Sequence, residues 1–452
     1  MENVTHSLIG VVIGEAVWRL AKGGERTRKR KRSSRDTATA DEGRPTQRFP
    51  RTQDPLRSGL LWAAVLGSNL PDFDFLLRPI VQGGNLGYLL HHRGFTHTLL
   101  LSPLLALIAA GVGAWIFRRK VPTRAQSVPR GPIPWIPLLA AGWLGVALHV
   151  TADFWNDYGV HPFWPLSRQW FYGGVIFILE PLLWCVLLPF AYFNSRTRFA
   201  RGFCLFLGAA ILVAAWSVGL LPFPVAAAVT LTAIVFFMLQ RYRRVSIEIP
   251  VAGVFLVLGS FTWGALQVRE IVRASLPLAE FEHQVVTSPA PGNPLCWRVV
   301  VSSTQGDRYR ARLGVFSLAP PFLRARWPSL GPERCFARGM SDGRTAPLDP
   351  VEAEALRILA LSGHVNWLGE FHGSLGQFRK IVETHCRARQ LLRFVRVPFW
   401  TPAGRSILIG DMRYDREKGL GFAEIEAEEG EPCLKLEPSW VAPGGSLFSD
   451  LF

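Results

Sequence analysis

The sequence predicts a mainly α-helical, polytopic membrane bundle followed by a small α+β domain, on three observations. Of 452 residues, 49% are hydrophobic and only 19% charged, against about 25% charged in soluble proteins. That is too few charges to coat a globule of this size, and the mean hydropathy is positive at +0.19. Long apolar runs recur through the first 268 residues. The net charge of +16 is unevenly placed: residues 1–268 hold 27 Lys+Arg and 13 Asp+Glu, the remainder 23 and 21. Basic residues gathered between apolar runs mark membrane topology rather than a nucleic-acid face, so the bilayer is the expected partner and nucleic acid is not.

About 18 apolar residues suffice to cross a bilayer. Residues 98–117, 133–155, 173–193, 202–220 and 222–239 qualify, and 250–268 is equally apolar. Two shorter runs, 8–20 with Glu15 and 60–77 ending in Asn69, Pro71, Asp72 and Asp74, read as partly inserted or bundle-buried helices. Glu15 reads as a partner inside the bundle. The first residues include Glu2 and no basic stretch, so they do not read as a signal peptide.

Four basic groups orient the spans: the 22–58 loop with its run Arg28 to Arg32, then Arg118 to Arg130, Arg196 to Arg201, and Arg241 to Arg244. Threading them to the cytoplasm places the N-terminus and everything past Val268 outside. The expected organisation is a membrane-embedded helical site domain over 1–200 with its basic cytoplasmic loop, further transmembrane helices over 201–275, and an extracytoplasmic α+β domain over 276–452. In that domain, 296–318 alternates like strands around Gln305-Gly306-Asp307, 350–361 and 375–393 read as helices, and 407–414 and 421–426 as strands. Cys296, Cys335, Cys386 and Cys433 permit disulfides there, but their spacing fixes no pairing.

The histidines carry the functional signal. His6, His91, His92, His97, His149 and His161 are the six in the first 268 residues, accompanied by Asp72, Asp74, Asp153, Asp157 and Glu180. On the threading above, each falls near the outer end of a span or in an outer loop, so distant segments converge on one membrane face. His149 and Asp153 are four apart and share a helix face. His92 and His97 flank the turn-like Arg93-Gly94-Phe95-Thr96, and Asp72 and Asp74 close a Pro-broken segment. Imidazole with carboxylate and no thiolate suits Zn²⁺, Mn²⁺ or Fe²⁺ better than Ca²⁺, and the number of donors allows two or more ions. A lone His at a helix end is ordinary; a converging set of intramembrane carboxylates and imidazoles is expensive and needs a reason. Asp157 reads as a loop residue.

The motifs Thr5-His6 with Ile9-Gly10, Pro71-Asp72-Phe73-Asp74, His92-Arg93-Gly94-Phe95-Thr96-His97, and His149-x-x-x-Asp153 followed by Tyr158-Gly159 resemble the YdjM family of bacterial inner-membrane proteins. The segment from Pro165 through Gly173-Gly174-Val175-Ile176 to Glu180-Pro181 fits as well, and the region past 276 resembles the extension that some members carry. The family is identified with metal-dependent hydrolases and is similar in motif order to zinc-dependent phospholipases C and single-strand nucleases, which implies a phospholipase C-like helical core. The resemblance implies His6, Asp72, His92, His149, Asp153, His161 and Glu180 as metal ligands, and Asp74, Arg93 and His97 as catalytic or supporting residues. It departs at Val160, where Thr is expected, and at Glu180, where Asp is common. The implied activity is hydrolysis of a phosphoester or ester at the outer face of the inner membrane, on a lipid or envelope metabolite. Arg93 would hold an anionic group and Asp74 would act as general base. The alternative is a non-catalytic metal-binding regulator or scaffold.

Overall fold

A computed structural model describes residues 2–33, 54–77, 84–121, 132–217, 221–243, 245–275, 282–336, 363–414, 421–435 and 440–441. The basic segment between the first two helices and the expected helix over 350–361 lie outside the described residues. The chain is mainly helical with a small α+β domain, as its composition and apolar runs predict.

Nine helices make up the membrane half of the described chain: α1 Asn3–Ser33, α2 Pro55–Gly67, α3 Gly84–His91, α4 Ser102–Lys120, α5 Trp135–Phe154, α6 Pro181–Asn194, α7 Arg198–Ser217, α8 Phe223–Tyr242 and α9 Glu248–Ser275. Five stretches are long and apolar enough to cross a membrane: Asn3–Gly23, α5, α7, α8 and Glu248–Ala274. The first was expected to be partly inserted or bundle-buried; the helix continues at both ends of the 8–20 run, which makes it long enough to span, and Leu8, Ile13, Glu15 and Val17 are buried in the bundle. The run 60–77 divides. Asp54 caps α2 by accepting from the Leu56 N–H at 2.9 Å and Pro55 opens it, where a missing N–H costs nothing. Past Gly67 the chain tightens into a 3-10 turn, Leu70–Leu77.

The run 173–193 is also shorter as a helix than its apolarity suggests. Its first eight residues form an extended segment held by backbone bonds to the end of α5: Gly173 N–H donates to the Phe154 carbonyl at 2.7 Å and Val175 N–H to that of Trp155 at 2.8 Å. Pro181 then starts α6 with Glu180 as its cap. The run 98–117 begins as a helix only at Ser102, and the segment Gly84–His97 lies 74° off the axis of α4.

Helices α2, α4 and α5 pack backbone against backbone. A Cβ on Gly67 would lie 2.4 Å from the Gly142 carbonyl oxygen, and one on Gly145 2.6 Å from that of Ala64. Small residues permit this approach, the usual device for helix association in lipid. At the end of the bundle away from the histidines, Arg57 donates to Glu15 at 2.6 Å and to the Asn194 side chain at 2.6 Å, and Arg19 reaches Glu15 at 3.0 Å. Glu15 and Arg57 are fully buried, so Glu15 sits inside the bundle with a cationic partner.

Beyond α9 the chain forms two antiparallel sheets. The first runs β1 Glu282–Ala290, β2 Asn293–Gln305, β3 Arg308–Ser317 and β4 Val365–Ser374 in sequential order, and the second β5 Pro398–Ala403, β6 Ser406–Asp411 and β7 Glu424–Glu428. Gly306, at φ +58°, makes the tight β2–β3 turn that Gln305-Gly306-Asp307 predicts. The expected helix over 375–393 breaks at His385 into Leu375–Thr384 and Cys386–Leu391. Cys296 pairs with Cys335 and Cys386 with Cys433. This domain packs on the histidine end of the bundle. Gly292 N–H donates to the Glu180 carboxylate at 3.1 Å, Ser288 Oγ to the Asp157 carboxylate, Arg413 to the Asp157 carbonyl, and Trp170 Nε1 to the Arg393 carbonyl at 2.8 Å.

Candidate metal centre

Each functional side chain reaches the site from an element that ends there. α1 begins with His6, α2 delivers the 3-10 turn carrying Asp72 and Asp74, α3 ends before His92, and α5 presents His149 and Asp153 in its last two turns. Arg93 adopts φ +61°, a left-handed conformation that costs a non-glycine residue about 1–3 kcal/mol and is retained where surroundings over-determine it. That reversal swings His97 back into the bundle.

Asp72, His97, His149 and Asp153 form the cluster able to hold a metal ion among the described residues. His97 and His149 face each other Nε2 to Nε2 at 3.1 Å. Asp153 Oδ2 lies 3.1 Å from His97 Nε2 and 3.4 Å from His149 Nε2. Asp72 Oδ1 lies 3.4 Å and 3.5 Å from the same two nitrogens. Donor atoms about 2.0–2.1 Å from a tetrahedral zinc ion lie about 3.3 Å apart, so the donor set matches the size of such a shell. Its orientation matches too: His149 Nδ1 donates to the Ser68 carbonyl at 2.8 Å, which leaves Nε2 as the lone pair, the arrangement that positions a metal-binding imidazole. His97 Nδ1 is 3.1 Å from Thr96 Oγ1.

His6 stacks on His149 at 3.8 Å between centroids, and its Nε2 approaches Asp153 Oδ1 to 3.4 Å. It is fully buried, and apart from that long approach neither ring nitrogen has a hydrogen-bond partner among the described residues. Buried polar atoms are normally satisfied, so this imidazole points to a ligand at the cluster.

Around the cluster, Arg93 Nη2 pairs with Asp153 Oδ1 at 3.1 Å, Nη1 donates to Asn156 Oδ1 at 2.9 Å, and the guanidinium lies 4.7 Å over the Tyr158 ring. Asp74 accepts from His92 Nδ1 at 3.1 Å and from the Arg93 N–H at 3.0 Å. Burial raises the Asp72 and Asp74 carboxyls. The hydrogen bonds from His149 and His97, and from His92, outweigh it and hold both below the usual carboxylate range.

The structure thus brings together His6, Asp72, His149 and Asp153 of the residues read as ligands, and adds His97, read as a catalytic or supporting residue. His92 stands outside the cluster in the pair with Asp74. His161 packs between Trp170 at 3.8 Å and Trp440 at 4.4 Å, with Nδ1 3.4 Å from the Arg93 carbonyl. Burial pushes its imidazole down to about 3. Glu180 caps α6, accepting from Leu182 N–H at 3.0 Å, and clamps Gly292. Neither His161 nor Glu180 belongs to the four-donor cluster. Sequence reasoning missed Asn156, whose position between a span end and Asp157 is a usable signal, and Trp440, for which no local signal exists.

The fold and site define a multi-pass membrane protein with a candidate metal centre at one end of its bundle. Residues 1–221, just under half of the chain, match the family model described as YdjM inner membrane protein. The protein YfhP of Bacillus subtilis (strain 168) is 27% identical over 131 residues, 29% of this chain and 35% of that protein, so the chain spans about a third of its relative's length. No solved structure matches the chain, and the phospholipase C-like core remains an expectation from motif order.

Proposed function

We propose that this protein is a membrane-bound, metal-dependent hydrolase that cleaves a phosphoester or ester bond at the outer face of the inner membrane. The half-buried Asp72 with the buried His97, His149 and Asp153, and the imidazole of His6 beside them, carries the reading. The four donors would hold Zn²⁺ in preference to Mn²⁺ or Fe²⁺, and His6 would be a further donor for the same ion or a second one. Bound there, the ion supplies Lewis-acid polarisation of the scissile group and a water acidified to near neutrality.

The chain's own residues do the rest. Asp74 holds His92 through Nδ1, so the far side of the ring is available to take up or return a proton. Arg93 fixes the Asp153 carboxylate and is itself fixed by Asn156 and Tyr158. His161 and Trp440 close the site from the side of the sheet domain and exclude bulk water. Two disulfides in that domain favour an oxidising compartment. The basic residues near the opposite helix ends favour the cytoplasm there.

Metal analysis of the detergent-purified chain tests the reading, with turnover of chromogenic phosphodiesters and esters measured alongside. The expected outcome is stoichiometric zinc, lost together with at least about 100-fold of turnover in His149→Ala. A metal-free chain, or one indifferent to that substitution, overturns it. Bound metal without turnover on any ester favours the regulator or scaffold.

A further inference from the structure

Next to the metal centre lies a cavity of about 310 Å³ whose wall comes from both halves of the molecule. The membrane half contributes Tyr88, His92, Asn156 and Tyr158, and the sheet domain contributes Tyr414 and Phe422. His92 and Arg93 stand between this space and the donor cluster. We infer that the cavity is the headgroup pocket for a membrane phospholipid, so that the sheet domain builds half of the substrate site; this rests on the hydrolase reading above.

Three observations carry it. First, the volume lies at the lower bound of about 300–1,000 Å³ for drug-sized ligands, room for a polar headgroup with its acyl chains left outside. Second, the chains have somewhere to go. The 3-10 turn and loops at this end of the bundle expose large apolar side chains: Leu166 at 95%, Leu76 at 62%, Phe75 at 52%, and Ile178, itself on the cavity wall, at 47%. On a chain that crosses a bilayer, such loops sit at the boundary of headgroups and acyl chains. Third, the wall carries polar side chains. Tyr88, His92, Asn156 and Tyr414 all line it, and hydroxyl, imidazole and amide groups are suited to phosphate and glycerol oxygens. Aromatic faces complete the wall, with Phe422 5.4 Å from Tyr414 and 6.1 Å from Tyr158.

The test places p-benzoylphenylalanine at Phe422, or at the exposed Lys380 as control, in the zinc-loaded full chain. The protein is irradiated in nanodiscs of phosphatidylethanolamine and phosphatidylglycerol, and lipid adducts are quantified by mass spectrometry. Adducts at 422 are expected at least tenfold above those at 380, and at least threefold lower when glycerophosphoethanolamine and glycerophosphoglycerol are present in excess. Equal yields at the two positions, or adducts at 422 that the headgroups do not compete away, overturn the inference. The readout needs no turnover, so adducts from a chain that hydrolyses nothing would sink the hydrolase reading and leave the pocket standing.

Discussion

Both ends of the helical bundle bury charge, and they do it in opposite ways. At the basic end, Glu15 meets Arg57 and Arg19, and Arg57 continues to Asn194. Each charge there has a partner of opposite sign or a hydrogen-bonding oxygen, and the network joins α1, α2 and α6. At the other end, two carboxylates and three imidazoles converge with Arg93 as the cation against Asp153. The first arrangement is complete without a ligand and holds helices together. The second gathers donors that face one another, which is costly unless something sits among them. The difference teaches that buried charge in this bundle is diagnostic only when its hydrogen-bond accounting is examined.

Substitutions can break that contrast, and the largest expected effect is at the metal end. Asp153→Ala is expected to abolish stoichiometric metal and to cut turnover by about 10³-fold, since even supporting residues of metal sites are worth 10–100-fold; elemental analysis and kinetics read both. Arg57→Leu should leave metal content unchanged and destabilise the chain by about 3–5 kcal/mol by stranding Glu15, with Glu15→Leu/Arg57→Leu recovering much of the loss. Thermal unfolding in detergent separates these outcomes, and metal loss in Arg57→Leu would erase the distinction between the two ends.

Smaller effects sharpen it. Asp74→Asn is expected to retain metal and lose about 10–100-fold of turnover, because His92 loses its anchor rather than the cluster a donor. Glu180→Gln should keep metal stoichiometry and cost about 1–2 kcal/mol as a weakened helix cap and clamp on Gly292; loss of metal would return Glu180 to the ligand set. His161 gives the mildest signal. Its folded value of about 3 lies below the ordinary 6.5, so its neutral form contributes fully above about pH 6.5, and that contribution is lost as pH falls from there toward 3. The thermal midpoint of the wild type should therefore drop more between pH 7 and pH 5 than that of His161→Phe.

Much of this architecture was legible in the residues. The spans around α5, α7, α8 and α9 follow from uninterrupted apolar runs, and the convergence of His6, Asp72, His149 and Asp153 follows from which helix ends carry them. What was illegible depends on contacts between distant segments. The apolar stretch 173–180 looks like span and is an irregular segment docked on the end of α5, because its partners are carbonyls there rather than its own. The exchange of His92 for His97 turns on one backbone reversal at Arg93, which spacing does not reveal. Trp440 meets His161 across most of the chain, and nothing near either residue announces the meeting.

The contact of Gly67 and Gly145 with neighbouring carbonyls has a consequence for the chemistry. Gly145 stands one turn before His149, and Gly67 five residues before Asp72. The donors are therefore held in place by hydrogen atoms where other residues would have methyl groups. Adding one carbon at either glycine would push α2 and α5 apart by more than the tolerance of a metal–ligand bond, about 0.2 Å. The positional accuracy of the site is thus set in the helix seam, a full turn or more from any atom that would touch a metal.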